Sequence, residues 1–91
     1  MSYEQEIGEL RKEIDRLNVE IIDRIKERVD VAIQIGAVKH RYNMPVVDPA
    51  REKIVYERAR ELAEQRGVDS DAIERIFREI VLMCVNAEED L

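Results

Sequence analysis

Cysteine, histidine, glycine, proline and aromatic residues are all scarce in this chain, and these scarcities exclude several kinds of protein. Cys84 is the only cysteine, so no disulfide can form within the chain. One cysteine and one histidine do not supply the ligands of a structural zinc site. Aromatic residues make up only 4%, which leaves little for stacking on nucleic-acid bases. The formal net charge of −6 also argues against nucleic-acid binding, because that requires a basic surface.

The chain also lacks the signals of a membrane or secreted protein. No apolar run approaches the roughly 20 residues of a membrane-spanning helix. The N-terminal segment MSYEQEIGEL lacks the basic-then-apolar order of a signal peptide. We therefore expect a cytoplasmic protein without membrane partners.

Most catalytic motifs are missing as well. No serine or cysteine lies in a recognisable nucleophile motif, no glycine-rich phosphate loop occurs, and no cluster has metal-ligand spacing. An enzyme of this composition would act by binding and electrostatics, without a metal or a covalent intermediate.

Charged residues (40%) and hydrophobic residues (45%) dominate the chain, beside three glycines and two prolines. This balance is typical of a helical protein. We predict a single all-α domain over residues 1–91, with three helices at about 4–41, 49–66 and 70–90.

Local signals mark the ends of these helices. Asn43 suits a left-handed C-cap, and Pro45 favours an extended connection after the first helix. Asp48 can cap the second helix, with Pro49 at its first position, where a helix tolerates proline. Gly67 suits the C-terminal cap of the second helix.

The predicted first helix is too long for the other two to cover. It is about 57 Å long, whereas each later helix is roughly 30 Å or less. The helical pattern places Leu62 and Ile76 of the later helices toward the interior, but these helices are too short to cover the first one. An uncovered apolar surface of this size usually marks an interface, so we expect a homodimer in which the long helices pair. The alternative is a monomer whose first helix bends back, although no proline or glycine pair marks a hinge. The apolar residues of the first helix recur at near-heptad spacing at Ile7, Leu10, Ile14, Leu17, Ile21 and Ile25.

Two cations interrupt the apolar stripe of the first helix. Arg28 and Lys39 lie eleven residues apart, within about 20° of the centre of the stripe. One explanation is that their charged ends reach solvent or pair with Glu52. The other is a pocket that binds a small polyanion between the helices.

Further charged residues lie near the same predicted pocket. Arg51 and Glu52 head the apolar stripe of the second helix, and Glu88 lies one turn beyond Cys84 at the edge of the third. Arg11 flanks the stripe of the first helix at about 80°, from which it could reach a neighbouring subunit.

Taken in order, these residues make the chain resemble the all-helical chorismate mutases of the short, single-domain type. The set spans nearly all of the chain. The matching segments are LRKEIDRLNVEIIDRIKER with Arg11 and Arg28, IGAVK ending in Lys39, VVDPAREK with Asp48, Arg51 and Glu52, and IFREIVLMCVNAEE with Cys84 and Glu88.

The resemblance implies an intertwined helical homodimer that converts chorismate to prephenate, on the route to phenylalanine and tyrosine. In this Claisen rearrangement one ether C–O bond breaks as a C–C bond forms, and no cofactor or metal is needed. The protein must hold a dianionic substrate in a chair-like conformation and stabilise partial negative charge on its ether oxygen.

The resemblance also implies roles for single residues. Arg28 binds one substrate carboxylate, and Arg11 of the partner subunit also binds a carboxylate. Lys39 donates to the ether oxygen and a nearby carboxylate. Glu52 accepts from the ring hydroxyl, with Asp48 close by through its backbone.

The remaining matching positions supply support, a second donor and the pocket walls. Arg51 supports the carboxylate side and holds Glu52 or Asp48 in place. Cys84 stands where some relatives carry a hydroxyl, a better donor than a thiol. Glu88 stands opposite the ether oxygen and donates only when protonated, so we expect activity to fall with rising pH. The alternative is that Glu88 pairs with Lys39 in the empty pocket, and both can hold at different stages. The apolar walls are Ile35, Val81 and Val85.

Two other functions compete with this one. Isochorismate pyruvate lyases resemble the mutases and act on a near-identical dianion, so the sequence separates the two poorly. A non-catalytic helical dimerisation module would explain the heptad spacing. It would not explain Arg28 and Lys39, because a plain coiled coil places apolar residues there.

Overall fold

The computed structural model describes residues 2–90 and contains three α-helices: α1 (Tyr3–Arg41), α2 (Pro49–Gln65) and α3 (Ser70–Glu89). The predicted all-α fold with a long first helix is confirmed. Each observed helix end lies within one residue of the predicted one. No helix in the described part of the chain is long and apolar enough to cross a membrane.

The helix ends follow from local hydrogen bonding. Asp48 caps α2, because its side chain accepts a hydrogen bond from the Arg51 backbone N–H at 3.1 Å, and Pro49 opens the helix. Asn43, with φ of 55°, turns the chain after α1, and Gly67, with φ of 68°, does so after α2. These four predicted signals are confirmed. Together they determine where α1 ends and where α2 begins and ends.

Helix α3 is the centre of the packing. It packs against both α1 and α2, whereas the backbones of α1 and α2 do not approach each other closely within residues 2–90. Small side chains at the contacts let the helices approach closely. The buried apolar residues are Ala32, Ala59, Ala63, Val81 and Cys84.

The N-terminal half of α1 extends beyond the other helices. The chain measures 61 × 26 × 15 Å, so α1, about 58 Å long at 1.5 Å per residue, does not bend back. Leu10, Ile14 and Ile21 are each more than half exposed. The chain therefore leaves much of its longest apolar stripe uncovered.

Two residues expected to face the interior are instead exposed. Leu62 of α2 is 49% exposed and Ile76 of α3 is 52% exposed. The helical projection was wrong for them because it assumed one common core. In the structure α2 packs only on α3, so the flanks of both helices remain uncovered by the chain's own residues.

Candidate active site

A cavity of about 450 Å³ lies where the second half of α1, the start of α2 and the second half of α3 converge. It has room for a small polyanion, the kind of ligand that the sequence predicts. Arg11, the one predicted site residue outside it, lies on the exposed N-terminal half of α1. The predicted site residues that line it are Arg28, Ile35, Lys39, Asp48, Arg51, Glu52, Val81, Cys84, Val85 and Glu88.

Lys39 and Glu88 form an ion pair inside the cavity. The Lys39 Nζ atom lies 3.1 Å from Glu88 Oε1 and donates a second hydrogen bond to the Val46 carbonyl oxygen at 2.6 Å. The side chains of Lys39 and Glu88 are only 23% and 8% exposed. Lys39 is thus held by two acceptors, and its anionic partner is Glu88, not Glu52.

Arg28 and Cys84 meet on the opposite side of the cavity. The Arg28 guanidinium donates to the Cys84 sulfur at 3.0 Å, and Cys84 is buried at 4% exposure. This contact anchors one end of the planar guanidinium. The other N–H donors of Arg28 remain for a ligand, since no further Arg28 hydrogen bond occurs within the described chain.

The start of α2 brings the third group of charged side chains to the cavity. The Asp48 cap binds the backbone N–H of Arg51, while the Arg51 guanidinium makes no hydrogen bond within residues 2–90. The observed link between Arg51 and Asp48 therefore runs through the backbone. Glu52 is half-buried, and its Oε1 accepts a long hydrogen bond from Tyr56 at 3.5 Å.

The electrostatics of the cavity are balanced. Counted over the described residues, its lining carries three cations (Arg28, Lys39 and Arg51) and three carboxylates (Asp48, Glu52 and Glu88). Apolar side chains line the cavity between these groups. Their low polarity strengthens the electrostatic interactions of the charged groups with a bound ligand.

The remaining lining residues were not predicted as site residues. Val46 contributes its backbone carbonyl to Lys39, and a backbone group leaves no signal in the sequence. Val55 did fall on the predicted interior stripe of the second helix, so periodicity could have identified it as a wall residue. Val31 and Ala32 also line the cavity.

The polar groups of the cavity can form hydrogen bonds to a ligand and stabilise charge on it. These groups are Arg28, Lys39, Arg51 and the three carboxylates. Between residues 2 and 90, no group of three or more His, Cys, Asp or Glu side chains is arranged to hold a metal ion.

Comparison with known proteins agrees with this geometry. The family model "Chorismate mutase type II" matches residues 10–89. The chain is 37% identical over 90 residues to a bifunctional chorismate mutase/prephenate dehydratase of Aquifex aeolicus, covering 96% of this chain and 25% of that protein. It is 32% identical over 77 residues to a chorismate mutase of Methanocaldococcus jannaschii, covering 85% of this chain and 78% of that protein.

A third relative is a 4-amino-4-deoxychorismate mutase of Streptomyces venezuelae. It is 27% identical over 89 residues, which are 98% of this chain and 86% of the relative. The chain thus spans 86% of the Streptomyces venezuelae protein and about a quarter of the bifunctional enzyme. Because the family model covers residues 10–89, which include α2, nearly all of α1 and α3, and every cavity residue, the chain belongs to the chorismate mutase type II family.

Proposed function

We propose that the chain catalyses the rearrangement of chorismate to prephenate as part of phenylalanine and tyrosine biosynthesis. The observation that carries the proposal is the cavity, in which half-buried Arg28 and Lys39 face a mainly apolar space between three helices. A pericyclic reaction of a dianion needs a compact bound conformation and charge stabilisation, and these groups can supply both.

The roles of the cationic groups follow from their anchoring. Arg28, fixed at one end by Cys84, binds a substrate carboxylate through its remaining donors. Lys39 donates to the ether oxygen and an adjacent carboxylate. Its bond to the Val46 carbonyl keeps it in position when the substrate displaces Glu88.

The polar groups on α2 complete the substrate contacts. Glu52 accepts a hydrogen bond from the ring hydroxyl, and Asp48 lies close through its backbone at the helix start. Arg51 supports the carboxylate side of the substrate. Its guanidinium is free to do so because it makes no hydrogen bond within residues 2–90.

Glu88 is the group whose ionisation the mechanism depends on. In the empty cavity it pairs with Lys39 as an anion. With the substrate bound, an ionised Glu88 would repel the developing charge on the ether oxygen, whereas a protonated Glu88 can donate a hydrogen bond to it. In the proposed mechanism Glu88 therefore acts as a hydrogen-bond donor to the ether oxygen.

Charge balance supports a contribution from a second chain. The cavity of one chain has a formal charge of zero, because its three cations and three carboxylates cancel. Protonating Glu88 and adding Arg11 of a second copy leaves two net positive charges, which match a dianion. Arg11 lies on the exposed half of α1, where a second copy could bring it to the partner's cavity.

The surface area of the chain supports a homodimer as well. The chain exposes 7357 Å², whereas a globular monomer of 10.7 kDa exposes about 5,500 Å². The excess of about 1,900 Å² exceeds the roughly 800 Å² per partner of a standard interface. A second copy whose long helix covers the stripe through Leu10, Ile14 and Ile21 would remove this excess.

The direct test is an assay of substrate turnover with identified products. Purified protein is incubated separately with chorismate, isochorismate and 4-amino-4-deoxychorismate. We expect prephenate from chorismate. Pyruvate from isochorismate without turnover of chorismate would show a lyase instead, and turnover of the amino compound alone would show the other mutase. Inactivity on all three substrates, with a stable dimer, would favour a dimerisation module.

Subunit complementation tests the placement of Arg11. Arg11→Ala and Arg28→Ala chains are inactive as homodimers if each residue is essential. A co-expressed mixture forms heterodimers with one intact site if Arg11 acts on the partner's cavity, so about a quarter of wild-type activity returns. If Arg11 serves its own chain, every site carries a defect and no activity returns.

A further inference from the structure

A second polar cluster lies between α2 and α3. It lines a cavity of about 370 Å³ that includes Tyr56, Arg60, Glu74 and Arg78. Glu52 lines this cavity and also the candidate active site. The cluster is thus connected to the active site through one carboxylate.

The charges of this cluster are already paired with each other. Arg60 binds Asp71 at 2.8 Å and Glu74 at 3.2 Å, and Arg78 binds Glu74 at 3.0 Å. Lys53, at the rim, lies 4.0 Å from Glu57. The cavity therefore offers a ligand no uncompensated cation within the described residues, and its pairs instead fix the side chains around Tyr56.

Tyr56 occupies the point where this cluster reaches Glu52. It lies one turn after Glu52 on α2, and its hydroxyl donates to Glu52 Oε1 at 3.5 Å. The Arg78 guanidinium lies 4.2 Å from the centre of the Tyr56 ring, which favours a cation–π interaction and restricts the ring. Arg78 is in turn held by Glu74, so a chain of contacts from α3 fixes the tyrosine.

We propose that Tyr56 is a positioning residue that holds one oxygen of the Glu52 carboxylate and leaves the other to accept from the substrate. The inference rests on the proposed function, since it assumes that Glu52 receives the ring hydroxyl. Within residues 2–90, Tyr56 is the one hydrogen-bond partner of the Glu52 side chain. Without it, the carboxylate can rotate freely between the two cavities and must be ordered when the substrate binds.

The kinetic test is Tyr56→Phe, which removes the hydroxyl but keeps the ring beneath Arg78. The bond is longer than an ordinary O–H···O bond, so the effect should be modest. We expect KM for chorismate to rise about three- to tenfold with kcat nearly unchanged, because the contact to the ring hydroxyl is made in both the ground state and the transition state. In the Glu52→Ala background, which removes the acceptor of the Tyr56 hydroxyl, Tyr56→Phe should have no further effect on KM.

A matched control separates this effect from the general loss of a hydroxyl. Tyr3→Phe removes the hydroxyl of a tyrosine that is 70% exposed, at the start of α1. It should leave KM and kcat unchanged. An equal rise of KM in the Tyr3 variant, or an undiminished effect of Tyr56→Phe in the Glu52→Ala background, overturns the inference.

A second measurement needs no substrate. The chain has three tyrosines and no tryptophan, so Tyr3→Phe with Tyr42→Phe leaves Tyr56 as the only group that absorbs as tyrosinate. Burial, followed by the negative charge of Glu52, raises the pKa of Tyr56 above its ordinary value. Adding Glu52→Gln should therefore lower this pKa in an ultraviolet titration.

The two measurements distinguish the inference from the proposed function. A Tyr56 pKa that Glu52→Gln does not change refutes the contact, even if the protein converts chorismate to prephenate. A protein without turnover refutes the proposed function, and the positioning role with it. The titration then shows separately whether the contact between Tyr56 and Glu52 exists.

Discussion

Replacing Lys39 with methionine should destabilise the protein by about 2–3 kcal/mol, because it leaves Glu88 without its cation. Glu88 is 8% exposed, and its carboxylate lies 3.1 Å from the Lys39 ammonium. At this distance the Coulomb attraction is about 5 kcal/mol at an effective dielectric constant of 20. Water that enters the open cavity after the substitution recovers part of that loss, which gives the lower net figure.

The assay is thermal and urea unfolding at one fixed protein concentration, since the stability of the proposed dimer would depend on concentration. A loss of about 2 kcal/mol lowers the Tm of a chain of this size by about 8–16 °C. Lys53→Met is the matched control. Lys53 is 78% exposed and lies 4.0 Å from Glu57, so its loss should change stability by less than about 0.5 kcal/mol.

A double variant isolates the pair. Lys39→Met with Glu88→Gln removes both charges, so most of the lost stability should return. A deficit of about 1 kcal/mol remains, because the Val46 carbonyl has lost its donor. Turnover should stay about 100- to 1,000-fold below wild type in both variants, since the proposed donor to the ether oxygen is missing.

The reasoning would be refuted by a Lys39→Met variant as stable as the wild type and the Lys53→Met control. It would also be refuted if adding Glu88→Gln gave no recovery. Either result would mean that water, and not Lys39, compensates the charge of Glu88 in the folded chain.

Two further predictions concern pH and assembly. Hydrogen bonding to Arg78 lowers the pKa of Glu74, so its contribution to stability is present above the ordinary glutamate pKa and is lost as the pH falls through the lowered value. Urea unfolding across acidic pH should therefore show a shallower loss for Glu74→Gln, and an unchanged slope would contradict this. Leu17→Glu, in the exposed stripe of α1, should shift the protein toward monomer in analytical ultracentrifugation and reduce turnover. The control Arg16→Glu, at an exposed neighbouring site, should have neither effect. Equal dimer content in both variants would argue against pairing through this stripe.

The fold followed from the sequence because its determinants are local. The Asp48 cap with Pro49, the left-handed Asn43 and the left-handed Gly67 each act on backbone groups within a few residues. The apolar stripe of α1 likewise follows from helical periodicity alone. These signals determined where each helix begins and ends. They also showed that α1 is too long for α2 and α3 to cover.

Most of the candidate site was also predictable, because charge on an apolar face breaks the expected pattern. Arg28 and Lys39 interrupt the stripe of α1, and both line the cavity. Helical projection also brought Arg51, Glu52 and Glu88 near the predicted pocket, and the resemblance to a family then gave these residues and Cys84 their roles. Their burial and distances to one another remained unknown at that stage.

Only the tertiary structure decided which of these groups contact each other. Lys39 pairs with Glu88, 49 residues away, and Arg28 donates to Cys84, 56 residues away. Helical projection gives a direction for each side chain but no relative position of two helices, so it could not choose between Glu52 and Glu88 as the partner of Lys39. It also could not find the Val46 carbonyl, since a backbone acceptor carries no residue-specific signal. The sequence by itself thus determined the helices and the charges they bear, and the packing of α3 between α1 and α2 decided how those charges meet.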